Sequence, residues 1–389
     1  MAHPIFTRRK LLVATGATLA LSSSLGATMT VARAATHRRF VFIIQRGAAD
    51  GLGTLAPVGD PAFVSQRGDL AADFATAPRL DSMFALHPGM ANVAKLYAAR
   101  EALFVHAVAS PYRDRSHFDG QNVLETGGNA AYSVKDGWLN RMLTLLPPAD
   151  TKAIAVAATI PLALRGPVDV ASYAPSALPD ASDDLLGRVT QMYAGDPQLH
   201  AAWAEATATR MLTSDMAAGN GQNAAATGAL AAKLLAAENG ARVAMIETGG
   251  WDTHAQQRGR LGAQLRGLDG MIGALKEGLG PLWADTMVVV ATEFGRTVKV
   301  NGTGGTDHGT GSLAMLMGGA VNGGRVVADW PGLGDAALFE GRDLKPTTGL
   351  DSVIASAVGG HYGIEGPRVA RALFPEVPGT AWIDGLARA

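Results

Sequence analysis

Cysteine is absent from all 389 residues of this sequence. Its absence excludes disulfide bonds, metal sites built from thiolates, and cysteine nucleophiles. Positive charge is not concentrated either, because no basic run occurs after the first 34 residues and the formal net charge is −1. Nucleic acid is therefore not an expected partner.

Long apolar runs are also missing. The apolar stretch at residues 11–21 is interrupted by Thr15, Gly16 and Thr18. It is much shorter than the roughly 20 residues that cross a bilayer. We therefore expect no permanent membrane anchor.

The N-terminus has the order of an export signal. Arg8, Arg9 and Lys10 directly precede the apolar stretch, and small residues around Ala34 follow it. This order predicts a twin-arginine signal peptide over residues 1–34; the alternative is a buried amphipathic helix. Removing the signal's four positive charges would change the formal net charge from −1 to −5. We expect residues 35–389 to work in the periplasm or outside the cell, after export in folded form by the twin-arginine machinery.

Strand-like and helix-like segments alternate along the rest of the chain. Runs at residues 40–44, 103–108, 154–157, 243–246 and 287–291 have the length and composition of buried parallel strands. Helical patterns at residues 92–99, 261–279 and 351–358 lie between or after them. The alternation predicts a single α/β domain with a mainly parallel sheet flanked by helices.

Two segments depart from this alternation. Residues 180–240 are rich in alanine, carry no strand signal, and are broken at residues 219–221. They are either a helical insert or ordinary helices that cover one face of the sheet, and we adopt the insert. Residues 304–341 are rich in glycine and are predicted to form loops near a site.

Acidic and histidine side chains follow several predicted strands. Because the carboxyl ends of parallel strands meet at one edge of a sheet, these side chains are expected to gather there and bind divalent metal. The alternatives are a cap or turn at Asp50, a chance Asp-x-His spacing at Asp252, and a local ion pair at Glu293. The candidate metal ligands are Asp50, Asp252, His254, Glu293, Asp307 and His308.

Ser116 and Arg296 are candidates for catalysis. Ser116 precedes a predicted helix and is either a hydroxyl nucleophile or that helix's N-cap. His117 beside it is either a ligand or base, or a structural histidine. Arg296 could hold an anionic substrate group with its planar fork. The G-x-S-x-G motif of α/β-hydrolases and the glycine-rich nucleotide motifs are absent.

Taken together, the motifs resemble those of one family. They are RGAADG (46–51), SHFDGQ (116–121), GGWDTH (249–254), TEFGRT (292–297) and GTDHG (305–309), and the similarity extends through residues 323–326, 330–333 and 342–348. The chain is thereby similar to the domain of unknown function 1501 family, which consists of twin-arginine-exported proteins that resemble the alkaline-phosphatase and sulfatase superfamily.

That resemblance implies metal-dependent hydrolysis of phosphate or sulfate esters at two metal sites, with a hydroxyl or thiol nucleophile at a helix start. Asp50 would correspond to the first metal acid, and Ser116 would lie near the nucleophile. Asp252 with His254 would form one ligand pair. Glu293 and His308 would complete the set, with Asp307 as an additional candidate.

The sequence departs from the superfamily pattern at three places. Glu293-Phe294 replaces the usual Asp-His pair, the spacing between Asp252 and His254 is shortened, and the C/S-x-P-x-R sulfatase signature is absent. The missing signature argues against a formylglycine sulfatase. A carboxylate-rich site is expected to favour Mn, Mg or Ca over two zinc ions, or to hold one ion. The alternative to a hydrolase is a non-catalytic, metal-stabilised binding or assembly protein outside the cytoplasm.

Overall fold

A nine-stranded mixed sheet lies at the centre of the protein. The structure is a computed structural model, and it describes residues 37–175, 182–213 and 223–388. The strands are β1 (Arg39–Gln45), β2 (Leu55–Ala56), β3 (Ala85–Leu86), β4 (Ala102–Ala109), β5 (Ala153–Val156), β6 (Ala171–Ser172), β7 (Val243–Thr248), β8 (Thr286–Ala291), β9 (Ser312–Met317), β10 (Arg325–Val327) and β11 (Thr348–Gly349).

The main sheet has the order β10-β4-β9-β8-β1-β7-β5-β6, and β11 pairs with β4. Strand β9 runs antiparallel to β4 and β8, whereas the other pairs in this sheet are parallel. The mainly parallel α/β architecture and the five strands expected from the sequence are therefore confirmed. Strands β2 and β3 form a separate antiparallel pair.

One central strand was not expected from the sequence. The interpretation of residues 304–341 as loops is wrong for β10, at the edge of the sheet, and for β9, which lies fully buried between β4 and β8. Its sequence, SLAMLM, contains no β-branched or aromatic residue and therefore carries little strand signal. Pairing on both sides stabilises it instead, and its position depends on strands that are distant in sequence.

Helices cover both faces of the sheet. Alternate residues of β1 point to opposite faces, so that Phe40 and Phe42 join one buried cluster while Val41 and Ile43 join the other. The helices are α1 (Gly51–Thr54), α2 (Phe63–Arg67), α3 (Ala91–Ala98), α4 (His117–Thr126), α5 (Trp138–Leu143), α6 (Asp183–Tyr193), α7 (Pro197–Thr213), α8 (Ala224–Ala236), α9 (Gln257–Leu279), α10 (Leu350–Tyr362) and α11 (Gly366–Leu373). Helices α5, α10 and α11 pack on the first face, and α3, α8 and α9 pack on the second.

The segment expected to be a helical insert is helical where the structure describes it. Its last helix, α8, buries Leu230, Leu234 and Leu235 against the sheet, so this part behaves as an ordinary covering helix. Helices α6 and α7 are more exposed, with Leu185 and Met192 on the surface. The expected break at residues 219–221 and the predicted export signal at residues 1–34 lie outside the described residues. Among the described helices, none has the length and apolar character needed to cross a membrane.

Candidate metal centre

The motif residues meet at one edge of the sheet because of the direction of β9. The loops after β1, β4, β7 and β8 all leave from the carboxyl edge of these parallel strands. Strand β9 is antiparallel, so the loop that precedes it reaches the same edge; Ser312 at its start pairs with Val108 near the end of β4. A short antiparallel bridge then sets His308 opposite Arg296. Five segments distant in sequence thereby surround one small volume.

Three imidazole rings in this volume are each held through Nδ1. The Nδ1 atom of His117 lies 2.8 Å from Oε1 of Glu293, and that of His254 lies 3.1 Å from Oδ1 of Asp307. The Nδ1 atom of His308 lies 2.9 Å from the carbonyl oxygen of Arg115. A carbonyl oxygen and ionised carboxylates only accept hydrogen bonds, so each Nδ1 carries the proton. This tautomer leaves the Nε2 lone pair available to a metal ion.

The three Nε2 atoms converge on the carboxylate of Asp252. Oδ1 of Asp252 lies 3.0 Å from Nε2 of His254 and 3.3 Å from Nε2 of His308, and Oδ2 lies 3.4 Å from Nε2 of His117. The two Nε2 atoms of His254 and His308 are 3.0 Å apart. Two ligands of one tetrahedral ion with bonds near 2.0–2.1 Å lie about 3.3–3.4 Å from each other. The spacing of these donor atoms therefore fits a single divalent ion.

A second feature supports this fit. Nε2 of His117 is buried, and among the described residues it makes no hydrogen bond of good geometry; Oδ2 of Asp252 faces it at 3.4 Å. Leaving a buried polar atom unpaired costs about 1–3 kcal/mol, so such an atom in a native site calls for a missing partner. His117, Asp252 and His308 form a trio whose donor atoms all lie within 4.8 Å of one another. Their side chains are 23%, 41% and 26% exposed, so the cluster is open to solvent on one side.

Glu293 lies behind His117 in this arrangement. Its carboxylate is fully buried, and it also accepts hydrogen bonds from the Gly47 amide, the Gln121 amide and the Thr292 hydroxyl. Burial acts to raise the pKa of Glu293, but the hydrogen bonds, first that from His117, outweigh it and lower the pKa. The ionised carboxylate in turn raises the pKa of His117. Glu293 is thus placed as the carboxylate that orients a ligating histidine.

Gly47 allows the carboxyl ends of β1 and β7 to approach each other. Its φ of 118° lies in a region that side-chain-bearing residues rarely adopt, and an added Cβ would lie 2.7 Å from the amide nitrogen of Asp252. Only glycine fits this close contact. The same residue donates its amide to Glu293.

Arg115 supplies the carbonyl that holds His308. Its φ of 59° is strained for a residue with a side chain. The guanidinium compensates by pairing with Glu340 at 2.5 Å and with the buried Asp343 at 2.8 Å. Burial, followed by the nearby charge of His117, lowers the pKa of His308, which favours its neutral form.

Arg296 is buried, and its guanidinium nitrogens are hydrogen-bonded to other residues of the protein. Its Nη1 lies 2.5 Å from Oδ1 of Asp252, its Nε donates to the Thr306 hydroxyl, and its Nη2 donates to the Thr306 carbonyl. Burial acts to raise the pKa of Asp252, but the hydrogen bond from Arg296 outweighs it and lowers the pKa. In this structure Arg296 thus holds Asp252, and the binding of a substrate anion by Arg296 stays a prediction.

Asp50 is not part of the cluster formed by His117, Asp252 and His308. Its Oδ1 accepts a hydrogen bond from the Gly53 amide, which caps α1, and its Oδ2 pairs with the buried Arg67 and with the Gln257 amide. The capping role considered from the sequence is present. The role of Asp50 as a metal ligand stays a prediction.

Ser116 is the residue before α4 and is half-buried. Its side chain makes no capping hydrogen bond within the described part of the chain, while its amide donates to the Tyr112 hydroxyl at 3.1 Å. The hydroxyl is therefore uncommitted, one residue from His117. Asp307, 56% exposed, contacts Nδ1 of His254, and the hydrogen bond from Asn301 is the main cause of its lowered pKa.

The structure thus brings Asp252, His254 and His308 together and places Glu293 and Asp307 behind two of the histidines. The cluster contains more imidazole than the sequence indicated, because His117 joins it. The sequence leaves His117 open as a ligand, a base or a structural histidine; its position beside Ser116 at a predicted helix start is the signal that it carries. Three further residues support the site but belong to no sequence pattern that would have predicted this role. They are Gln121, Gln257 and Thr306.

The family model described as "Protein of unknown function (DUF1501)" matches residues 37–373. No curated protein matches the sequence. Among solved structures, the alkaline phosphatase from the Antarctic bacterium TAB5 is 12% identical, with 75% of this chain and 94% of that chain covered and a TM-score of 0.37. The C-terminal periplasmic domain of EcEptC from Escherichia coli, in complex with Zn, is 10% identical, with 73% and 74% covered and a TM-score of 0.38.

A third solved structure is the phosphonate monoester hydrolase of Agrobacterium radiobacter. It is 11% identical, with 89% of this chain and 79% of that chain covered and a TM-score of 0.32. Identities and scores this low leave the chemistry of the chain to be argued from its own residues.

Proposed function

The chain belongs to the DUF1501 family, and we propose that it is a metal-dependent hydrolase of small phosphate or sulfate esters. The observation that carries the proposal is the convergence of the Nε2 atoms of His117, His254 and His308 on the carboxylate of Asp252. A structural role alone gives no reason to bury the Nε2 of His117 without a hydrogen bond of good geometry. A divalent ion would give each of these lone pairs a partner.

His117, Asp252 and His308 would hold the ion, with His254 adjoining them. Imidazole with one carboxylate is a donor set that suits Zn²⁺ better than Mg²⁺ or Ca²⁺, which prefer oxygen ligands. When bound, such an ion polarises an ester oxygen and makes a bound water or hydroxyl a better nucleophile. The open side of the cluster gives a small anionic ester access to it.

The protein groups around the ion would have distinct tasks. Glu293, Asp307 and the Arg115 carbonyl keep the three rings in the tautomer that binds metal. Arg296 keeps Asp252 ionised and oriented. Ser116 carries an uncommitted hydroxyl at the start of a ten-residue helix, whose N-terminus favours developing negative charge. We assign Ser116 as the nucleophile.

We place this activity outside the cytoplasm. Two adjacent arginines before a short apolar stretch form the export signal argued from the sequence, and the twin-arginine route carries folded cargo. A metal acquired before export would remain bound during it.

The test uses residues 35–389, purified without added metal and then loaded separately with Zn²⁺, Mn²⁺, Mg²⁺ or Ca²⁺. Metal content is measured by elemental analysis, and turnover is measured with an aryl phosphate, a phosphodiester and an aryl sulfate. We expect one loaded form to hydrolyse at least one ester and Asp252→Ala to lose both metal and turnover. Absence of bound metal together with absence of ester cleavage would refute the proposal.

One observation favours a second candidate, a metal-stabilised binding or assembly protein without catalysis. Arg296, the cation expected to bind substrate, is bonded to Asp252 and Thr306 instead. This candidate predicts one bound ion that raises the melting temperature while none of the three ester classes is cleaved.

A further inference from the structure

Two buried threonines of the site motifs share one acceptor. The hydroxyls of Thr253 and Thr306 donate to Oε1 of Gln257 at 3.0 and 2.5 Å. Both threonines are fully buried, and Gln257 is the first residue of α9. Neither threonine supplies a ligand atom to the cluster, so the proposed function leaves both without a role.

The direction of each hydrogen bond around Gln257 follows from the chemistry of its partners. Nε of Arg296 can only donate, so the Thr306 hydroxyl accepts from it at 3.1 Å and sends its own hydrogen to Gln257. The Gln257 amide nitrogen can only donate, and it donates to Oδ2 of Asp50. The chain of hydrogen bonds is therefore continuous and polarised from Arg296 to Asp50.

The other end of this chain reaches the candidate metal centre. Thr306 holds Arg296 twice, through its hydroxyl and through its carbonyl oxygen. Because the guanidinium is planar and rigid, fixing Nε and Nη2 also fixes the direction of Nη1. That atom lies 2.5 Å from Oδ1 of Asp252. Asp252 is 41% exposed, so burial alone does not fix its side chain, and the bond from Arg296 helps to orient it.

We infer that Thr306 is a positioning residue: through Arg296 it holds the Asp252 carboxylate in the orientation that binds a divalent cation. We call the chain of hydrogen bonds from Arg296 through Thr306 and Gln257 to Asp50 the relay, and Asp50 and Gln257 fix its far end. The inference rests on the proposed function, because it assumes that Asp252 is a ligand. Loss of a group that contacts a ligand typically costs 10- to 100-fold in metal affinity. Thr306 is separated from the ligand by one more hydrogen bond, because it contacts Arg296 and not Asp252. We therefore expect its loss to lower the metal affinity by about 3- to 10-fold.

A matched pair of substitutions tests this. Thr306→Val and Thr253→Val are nearly isosteric, and each removes one hydroxyl that donates to Gln257. Only Thr306→Val also removes the acceptor of the Arg296 Nε bond. Co²⁺ binding to residues 35–389 is titrated by visible absorption, with folding of each variant checked by circular dichroism.

We expect the Kd for Co²⁺ to rise about 3- to 10-fold in Thr306→Val and to change less than about twofold in Thr253→Val. Thr306→Ser, which keeps the hydroxyl, should restore the wild-type Kd; a merely structural loss of the methyl group would not be restored. Equal Kd values in the two valine variants, or no restoration by serine, would overturn the inference and leave the proposed function standing. Absence of Co²⁺ binding by the wild-type protein would overturn both.

Arg296→Lys gives a second route if Thr306→Val does not fold. Lysine keeps the charge but lacks the fork that joins Thr306 to Asp252. The relay predicts a Kd for Co²⁺ at least as high as that expected for Thr306→Val, and an unchanged Kd would contradict it.

Discussion

Nδ1 of His117 lies 2.8 Å from Oε1 of the fully buried Glu293, and the opposite ring nitrogen faces Asp252. Through this pair, Glu293 orients the first residue of α4 so that its Nε2 faces the site. The carboxylate fixes the ring's tautomer and raises the pKa of His117, which makes the ring a stronger metal ligand.

Glu293→Gln should therefore weaken metal binding by about 10- to 100-fold while the protein stays folded. The amide has the shape of the carboxylate but lacks its negative charge. Isothermal titration with Zn²⁺ measures the effect. Glu101→Gln is the matched control, because that carboxylate pairs with Lys276 and Trp283 and not with a site residue. Equal affinities in the two variants would show that Glu293 does not act through His117.

Removing the metal should lower the melting temperature. An ion that binds only the folded state adds about 2.7 kcal/mol of stability at 100 times its Kd. Differential scanning calorimetry with and without a chelator measures the shift. In Asp252→Ala the chelator should have no further effect, and a shift that persisted there would place the stabilising ion elsewhere.

Asp50→Ala should destabilise the fold by about 3–5 kcal/mol, because Arg67 would remain buried without its counter-charge. Urea unfolding measures the loss. Asp184→Ala, which removes one partner of an exposed ion pair, is the control and should change little. Metal content per folded Asp50→Asn protein tests the ligand role predicted for Asp50: loss of metal would support that role, and wild-type metal content would contradict it.

Ser116→Ala separates a nucleophile from a helix cap. A serine that caps a helix typically contributes about 1 kcal/mol, but the Ser116 side chain makes no such bond among the described residues. We expect a change in unfolding free energy below about 0.5 kcal/mol, unchanged metal affinity, and loss of ester turnover. Full turnover in the variant would assign attack to another group.

Acid should destabilise the protein through two buried histidines. Burial lowers the pKa of His106 to about 4 and that of His361 to about 3. Below the ordinary value near 6.5, the unfolded chain binds protons that the folded state does not, so stability falls with decreasing pH until each folded-state pKa is reached. Each histidine contributes a slope of about 1.4 kcal/mol per pH unit.

His106→Gln and His361→Gln should each flatten this dependence. Urea unfolding between pH 7.5 and 4.5, compared with the wild type at each pH, isolates the effect of each histidine from that of the site histidines. A variant whose pH dependence matched the wild type would show that its histidine titrates normally in the folded protein.

The sequence predicted well what depends on local pattern. Short apolar runs identified β1, β4, β5, β7 and β8, because a strand buried on both faces must be apolar throughout. The same logic placed the motif residues at the carboxyl edge of the sheet. It did not identify β9, whose residues carry no intrinsic preference for a strand and whose antiparallel direction depends on its neighbours.

The sequence alone thus determined the chemistry of the available side chains. It shows which segments carry imidazole and carboxylate groups, and it excludes thiolates. Only the tertiary structure decided the task of each group. Asp252 and Glu293 are both acids that follow a strand, yet one faces three Nε2 atoms and the other lies behind His117. The physical reason is that ligation depends on distances of a few ångströms between segments that are far apart in the sequence, such as those that carry Gly47 and Asp252. Such contacts arise from tertiary packing, and no periodic pattern in the sequence indicates them.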